Sequence, residues 1–254
     1  VESLYDFGVR VGDNVPMSAP PGSVIQEMFG EIAPQYDFLN RALSFGIDRR
    51  WRRRTVEGLN LPCGGAVLDL CCGTGDLALE FAQSGFEVFG ADFTGPMLPL
   101  AHQKAENSSL SVEWTRADAQ HLPFASSSFH GVSIAFGIRN VAHPQSALKE
   151  CFRTLKPGGK LAVLEFFPIR NRLWRGIFRF YFHHILPRLA RVTRAGRTGA
   201  YEYLPESVDG FATPSLFGEW MNDAGFSQVE DRPLTGGVAR LVIGVVPETK
   251  AIEE

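Results

Sequence analysis

Residues 73–78 read Gly-Thr-Gly-Asp-Leu-Ala, and Asp69 stands four residues before the first glycine. Glycine allows a sharp turn and a close backbone approach to a ligand, and the helix start that follows offers free N–H groups. The spacing satisfies G-x-G-x-x-G/A, the turn that nicotinamide-binding folds use for a pyrophosphate. Asp69 points to different chemistry. A carboxylate beside the turn opposes a pyrophosphate and suits a ligand carrying an ammonium and a sulfonium, so Asp69, Gly73 and Gly75 are candidate binding residues. Two more acids recur at comparable points. Asp92 closes a second apolar run, 17 residues after Gly75, where a carboxylate can accept from both hydroxyls of a ribose or simply cap a helix. Asp118 follows a third run and can accept from an adenine amino group beside the apolar Leu122-Pro123-Phe124, or stand as a solvated loop acid.

These acids converge only if the runs before them are neighbouring strands. Ala66–Leu70 and 87–91 are short apolar runs, and further strands are expected at 111–115, 129–135 and 159–167. Helical patterns separate them: 77–82, a stretch opened by Gly95-Pro96-Met97 with proline in the first turn, and 144–154 ahead of the turn Lys156-Pro-Gly-Gly159. Strands alternating with helices predict an α/β, Rossmann-like fold with a mostly parallel sheet. The last two strands, 226–232 and 238–246, are joined by Thr235-Gly-Gly237 and read as an antiparallel hairpin. At the other end, residues 1–22 read as a flexible arm. From Ser23, a plausible N-cap, Val24, Ile25, Met28, Phe29 and Ile32 share one helical face until Pro34. Further helices are expected over 36–43 and 48–59. The division is an arm at 1–22 and one domain over 23–254, with a helical lid at 23–60 and an inserted cover at 166–210.

Composition excludes several classes. Of 254 residues, 44% are hydrophobic and 21% charged, which is globular, and a net charge of −3 does not suit a nucleic-acid binder. Cys63, Cys71, Cys72 and Cys151 contain no C-x-x-C, and no His, Cys or acid cluster has ligand spacing, so neither a disulfide framework nor a metal is expected. The chain has no run of about 20 apolar residues and no signal-peptide layout, and a cytoplasmic protein is expected. One segment stands apart. From Phe166 to Ala200 there are eight arginines and no acid, interleaved with Trp174, Phe178 and Tyr181. That polarity predicts a lid helix over the site, either with solvated arginines or with an outer face that meets anionic lipid.

Val67-Leu-Asp-Leu-Cys-Cys-Gly-Thr-Gly75, Asp118-Ala-x-x-Leu-Pro-Phe124 and Leu155-Lys-Pro-Gly-Gly159 resemble class I S-adenosylmethionine-dependent methyltransferases. More narrowly, the chain resembles the ubiquinone/menaquinone biosynthesis C-methyltransferases through four segments. These are Phe29-Gly-Glu-Ile-Ala-Pro-Gln-Tyr-Asp37, Ser44-Phe-Gly46 with Arg50-Trp51-Arg52, Ala135-Phe-Gly-Ile-Arg-Asn-Val141, and Tyr201-Glu-Tyr-Leu-Pro-Glu-Ser-Val208. Leu234-Thr-Gly-Gly237 adjoins the hairpin. The resemblance covers about residues 24–246, and the 187–200 stretch departs from it by being richer in arginine. It implies S-adenosylmethionine as co-substrate, with Thr74, Asp92, Asp118 and Ala119 as contacts, and a prenylated quinol as acceptor. Demethylmenaquinol is the first acceptor expected and a methoxy-polyprenyl-benzoquinol the second. A nicotinamide dehydrogenase and a non-enzymatic scaffold remain as alternatives.

Such a reaction needs a quinol oxygen to lose its proton so that charge reaches the ring carbon, and the site must supply a base or a cation for it. Arg139, with Asn140 after the strand at 129–135, is expected to stabilise that charge and hold a water, or else to pair with a nearby acid. Tyr36 and Asp37 are candidates to face the methionine end of the cofactor or the acceptor ring, and Tyr36, Tyr201, Tyr203 and Ser207 are candidate acceptor contacts with simple packing as the alternative. A peripheral contact with the inner face of a membrane and a homodimer complete the expectations.

Overall fold

The computed structural model describes residues 20–169, 176 and 200–248. Three helices lead the chain: α1 (Gly22–Ile32), α2 (Tyr36–Ser44) and α3 (Asp48–Leu59). Then come β1 (Ala66–Leu70), α4 (Asp76–Gln83), β2 (Glu87–Asp92), α5 (Met97–Asn107) and β3 (Glu113–Arg116). β4 (Phe129–Ala135), α6 (Pro144–Thr154) and β5 (Leu155–Glu165) follow, then α7 (Ala200–Asp209), α8 (Pro214–Asp223), β6 (Ser227–Leu234) and β7 (Ala239–Val245). The seven strands form one sheet in the order β3-β2-β1-β4-β5-β7-β6. β1 to β5 run parallel, and β7 lies antiparallel to both β5 and β6.

The predicted parallel sheet and closing hairpin are both present, and α3 and α6 fall where the sequence placed them. Two local details differ. Ser23 does not cap α1: the helix begins one residue earlier, and the N–H groups of Val24 and Ile25 donate to the carbonyl of Pro21, with no side-chain cap. The Lys156-Pro-Gly-Gly159 turn lies inside β5 as a bulge. Leu155 already pairs with Phe129 and Lys160 with Gly131, and Gly158 between them takes a left-handed φ of +74°. The predicted arm lies outside the described residues except for its last three positions, and Gly22 is already helical.

The core has two layers. On one face of the sheet Leu68, Ile134, Leu161, Leu148 and Phe217 pack together beneath α6 and α8. On the other, Val67, Phe81, Ala162, Leu164 and Trp51 pack beneath α3 and α4. Phe81 and Phe217 are completely enclosed, and each such side chain contributes about 1.5–3 kcal/mol. Because β2 and β4 flank β1 on opposite sides, the winding of the sheet reverses between β1 and β4. That reversal opens a crevice at the carboxyl ends of the strands.

Candidate active site

The crevice is a cavity of about 400 Å³, within the range of small-molecule sites. Its floor is the carboxyl ends of β1 to β4, with Leu70, Cys71, Gly73, Asp92, Asp118, Ala119, Phe136 and Asn140. Its roof is α1 and the start of α2, with Ile25, Phe29 and Tyr36. The rings of Phe29 and Tyr36 meet edge to face at 6.0 Å. Burial raises the pKa of the Tyr36 phenol, and the phenol feels the opposing charge of Arg139.

The glycine turn is shaped by left-handed backbone. Gly73 has φ +54° and Gly75 φ +82°. Gly75 also has no room for a side chain, because a Cβ there would lie 2.5 Å from Cη2 of Trp114. Gly73 is open by contrast: its nearest neighbour would be Cε1 of Tyr36 at 3.6 Å, so its bare edge forms a cradle in the cavity wall. Asp92 braces this turn. One carboxylate oxygen accepts from the Gly73 N–H at 2.7 Å and the other from the Thr94 N–H at 2.7 Å. Burial raises its pKa, and those hydrogen bonds pull it back. Asp118 is held by the Gln120 N–H at 2.9 Å. Since Asp92 both lines the cavity and supports the turn, Asp92→Ala should weaken S-adenosylmethionine binding by about 1.5–3 kcal/mol. Titration calorimetry measures it, and wild-type affinity in the variant would remove the assignment.

Asp69 and Thr74 stand behind this wall. Asp69 is 1% exposed and accepts from the Ser133 hydroxyl at 2.7 Å, while its Oδ2 has no partner among the described residues. Burial, partly offset by the Ser133 hydrogen bond, pushes its carboxyl up to about 7. The Thr74 hydroxyl donates to Asp37. Lys104 Nζ donates to Asp37 at 2.8 Å, to Thr74 Oγ1 at 3.2 Å and to Asp76. Arg52 reaches Asp76 at 3.1 Å and Asp48 at 2.6 Å. Burial works against ionisation of Asp76, yet Arg52 and Lys104 hold its carboxyl below the usual range. The start of α4, where a dehydrogenase would seat a pyrophosphate, thus has carboxylates of its own chain beside it. A free edge at Gly73 and acids at each strand end fit a cationic adenosyl ligand instead. Lys104 was missed by sequence reasoning, because a single lysine on an amphipathic helix carries no local signal.

The acceptor-side candidates form a second layer. Arg139 lies in the 3-10 turn Ile138–Asn140 after β4 and is 9% exposed. Its Nη1 donates to Glu165 at 2.7 Å and to the Phe136 carbonyl at 2.7 Å, and its Nε donates to Ser207 at 3.3 Å. The ion pair carried as the alternative for Arg139 is therefore present. Nη2 has no acceptor among the described residues. Asn140 lines the cavity, and its Oδ1 accepts from the Tyr203 hydroxyl at 2.8 Å. Tyr203 and Ser207, the candidate acceptor contacts on α7, tie that helix to the 138–140 turn through half-buried Asn140 and buried Arg139. The side chain of Tyr201 and most of the basic 166–200 stretch lie outside the described residues.

Among the described residues no group of three or more His, Cys, Asp or Glu side chains could hold a metal. This strand order, with a glycine turn after β1 and an acid at or near the carboxyl end of each of β1, β2 and β3, defines a class I S-adenosylmethionine-dependent methyltransferase. The chain belongs to the ubiE/COQ5 methyltransferase family, whose family model matches residues 18–246. It is 49% identical over 222 residues to a demethylmenaquinone methyltransferase of Thermus thermophilus, covering 87% of this chain and all of that one. It is 43% identical over 228 residues to a ubiquinone/menaquinone biosynthesis C-methyltransferase UbiE of Geotalea daltonii, covering 88% of this chain and 96% of that one. Among solved structures, the [4+2]-cyclase SpnF shares the fold with a TM-score of 0.67 at 17% identity, over 93% of this chain and all of that one. That cyclase shows that the fold alone does not fix the reaction.

Proposed function

We propose that the protein transfers a methyl group from S-adenosylmethionine to a ring carbon of a prenylated quinol, demethylmenaquinol in the first place. The observation that carries this reading is the cavity itself. Asp92, Asp118 and the bare edge of Gly73 line it, and Asn140 and Tyr36 enter the same space. The 49% identity to a protein named demethylmenaquinone methyltransferase supports the choice of acceptor. A ubiquinone-pathway acceptor, 2-methoxy-6-polyprenyl-1,4-benzoquinol, is the second reading, because relatives such as that of Geotalea daltonii carry both pathways in their names.

S-adenosylmethionine, when bound, supplies an electrophilic methyl group for in-line displacement. The residues of the chain do the rest. Asp92 and Asp118 orient the nucleoside, and the roof of α1 and α2 keeps water from the reacting atoms. Asn140, held by Tyr203, fixes a ring oxygen. Arg139, clamped by Glu165, sets a positive charge behind the turn that favours the quinolate, and its Nη2 can hold the water that takes the ring proton. A prenyl chain keeps the acceptor in a bilayer, so peripheral membrane contact through the basic 166–200 stretch is part of the proposal. No helix among the described residues is long and apolar enough to cross a membrane.

Purified protein, donor labelled in the methyl group and short-chain analogues of both quinols, each reduced and oxidised, test the reading. Label is expected in the reduced demethylmenaquinol analogue and not in its oxidised form. Absence of label from every quinol would overturn it.

A further inference from the structure

A charged contact that the proposed chemistry does not use attaches the roof of the cavity to the floor. Asp37 follows Tyr36 in the first turn of α2. Its carboxylate accepts from the Thr74 hydroxyl within the glycine turn and from Lys104 Nζ on α5 at 2.8 Å. Lys104 also pairs with Asp76 at the first position of α4, and Asp76 with Arg52 on α3. Four helices therefore meet at one cluster directly behind Gly73-Thr74-Gly75. Two apolar contacts also hold the roof near the turn: Gly22 lies over the ring of Phe93, and Gly30 lies over Pro96. Apolar contacts set how close the roof comes but not its register. The Asp37 contact fixes the rotation of α2 and so holds Tyr36 against the open edge of Gly73.

The charges in this cluster do not balance. Among the described residues Asp37, Asp48 and Asp76 are in direct contact with two cations, Arg52 and Lys104. Without Asp37 the remaining four groups would be neutral. Arg41 on the exposed side of α2 also acts on Asp76 but is screened by solvent. Bringing Asp37 onto the turn thus closes the roof and adds one negative charge beside the cavity, where Asp92 already stands. A ligand with net positive charge favours that arrangement. S-adenosylmethionine carries one more positive charge than S-adenosylhomocysteine, the product left after methyl transfer. Roof closure over the donor is therefore favoured electrostatically over closure on the product.

We propose that Asp37 is a positioning residue that latches α1 and α2 onto the glycine turn and makes the closed cavity prefer the net-positive donor to its net-neutral product. The proposal rests on the donor reading given above, and its test uses no quinol, so the two can fail separately. Titration calorimetry of the full chain with S-adenosylmethionine and with S-adenosylhomocysteine measures the preference directly. Asp37→Asn keeps the shape and removes the charge. It should weaken donor binding about tenfold or more and product binding less than about threefold, as one local charge is worth about a decade at a partly buried site. Asp37→Glu should restore most of the donor preference. Lys104→Gln loosens the latch but leaves the carboxylate and makes the cluster more negative, so it should weaken both ligands while keeping or widening the preference for the donor; this variant carries the test if Asp37→Asn does not fold. Equal weakening of donor and product by Asp37→Asn, an unchanged donor affinity, or loss of the ratio in Lys104→Gln would overturn the latch. Failure of the wild-type chain to bind either ligand would overturn the donor reading instead.

Discussion

Replacing Glu165 by alanine is expected to destabilise the fold by about 3–5 kcal/mol and to abolish methyl transfer. Glu165 ends β5 with 0% exposure, accepts from Nη1 of Arg139 at 2.7 Å, and accepts from the Phe166 N–H at 2.8 Å. Burial pushes its carboxyl up, and Arg139 draws it back toward the ionised form. Removing it strands a guanidinium that is almost as deeply buried and takes away an acceptor of the Phe166 N–H. Two readouts separate structure from chemistry. Urea unfolding gives the stability term, and initial rates at saturating donor give turnover. A paired replacement, Glu165→Leu with Arg139→Met, removes both charges and should recover much of the stability, since buried pairs contribute little net stabilisation over apolar packing. It should recover none of the turnover, because the positive charge behind the 138–140 turn is gone. Near-wild-type rates in the paired variant would show that Arg139 is a structural partner of Glu165 and nothing more. Arg139→Lys sharpens the point: an ammonium cannot reach Glu165, Phe136 and Ser207 together as the guanidinium does, so turnover should fall while donor affinity holds.

Gly75→Ala is the second large effect. An L-residue at φ +82° costs about 1–2 kcal/mol, and the overpacking costs about 1–3 kcal/mol more. The ring that obstructs it is packed tightly against the backbone. Trp114 lies between two glycines, and a Cβ on Gly90 would come within 2.3 Å of the same indole. The far side of the new methyl meets Ala101 of α5 at 3.1 Å. The expected total is about 2–5 kcal/mol, or a fall in melting temperature of about 5–15 °C for a chain of this size. Donor binding should weaken as well, because the turn that carries the Gly73 cradle shifts with it. Thermal melts with and without S-adenosylmethionine check both parts. A variant that melts like the wild type and is still stabilised by the donor would mean that the turn tolerates a side chain. Adding Trp114→Leu to Gly75→Ala should relieve the clash and leave only the backbone term, which tests the division between the two.

Much of this site could be read from residue order, and the reason is that the signals are local. Apolar runs of strand length, helical spacing after each and glycine where φ must be positive placed β1, β2, β4 and their helices. The same rules put Asp92 and Asp118 at strand ends, where the cavity has them. Family resemblance added Thr74 and Ala119 as cofactor contacts, the chemistry of a quinol carbon singled out Arg139 and Asn140, and residues 18–246 do match that family. Local rules also misplace what depends on competition between neighbours. Ser23 is a good N-cap by type, yet Pro21 ends the preceding backbone so that its own carbonyl takes the first helical N–H groups.

What each charged side chain does was decided only when distant segments met. Asp37 and Lys104 are 67 residues apart, Arg139 and Ser207 are 68 apart, and Trp114 reaches back across β2 to the glycine turn. No periodicity encodes such pairs. A buried charge must find a counter-charge or hydrogen bonds wherever the chain crossings bring them, and burial is itself a property of the packed sheet. Residue type and spacing therefore determined that acids and an arginine would gather at the carboxyl edge. The tertiary structure decided that Asp92, Asp118 and Asn140 face the cavity, that Asp69 and Thr74 stand behind it, and that Arg139 is held by Glu165, because only there do desolvation and pairing come into balance.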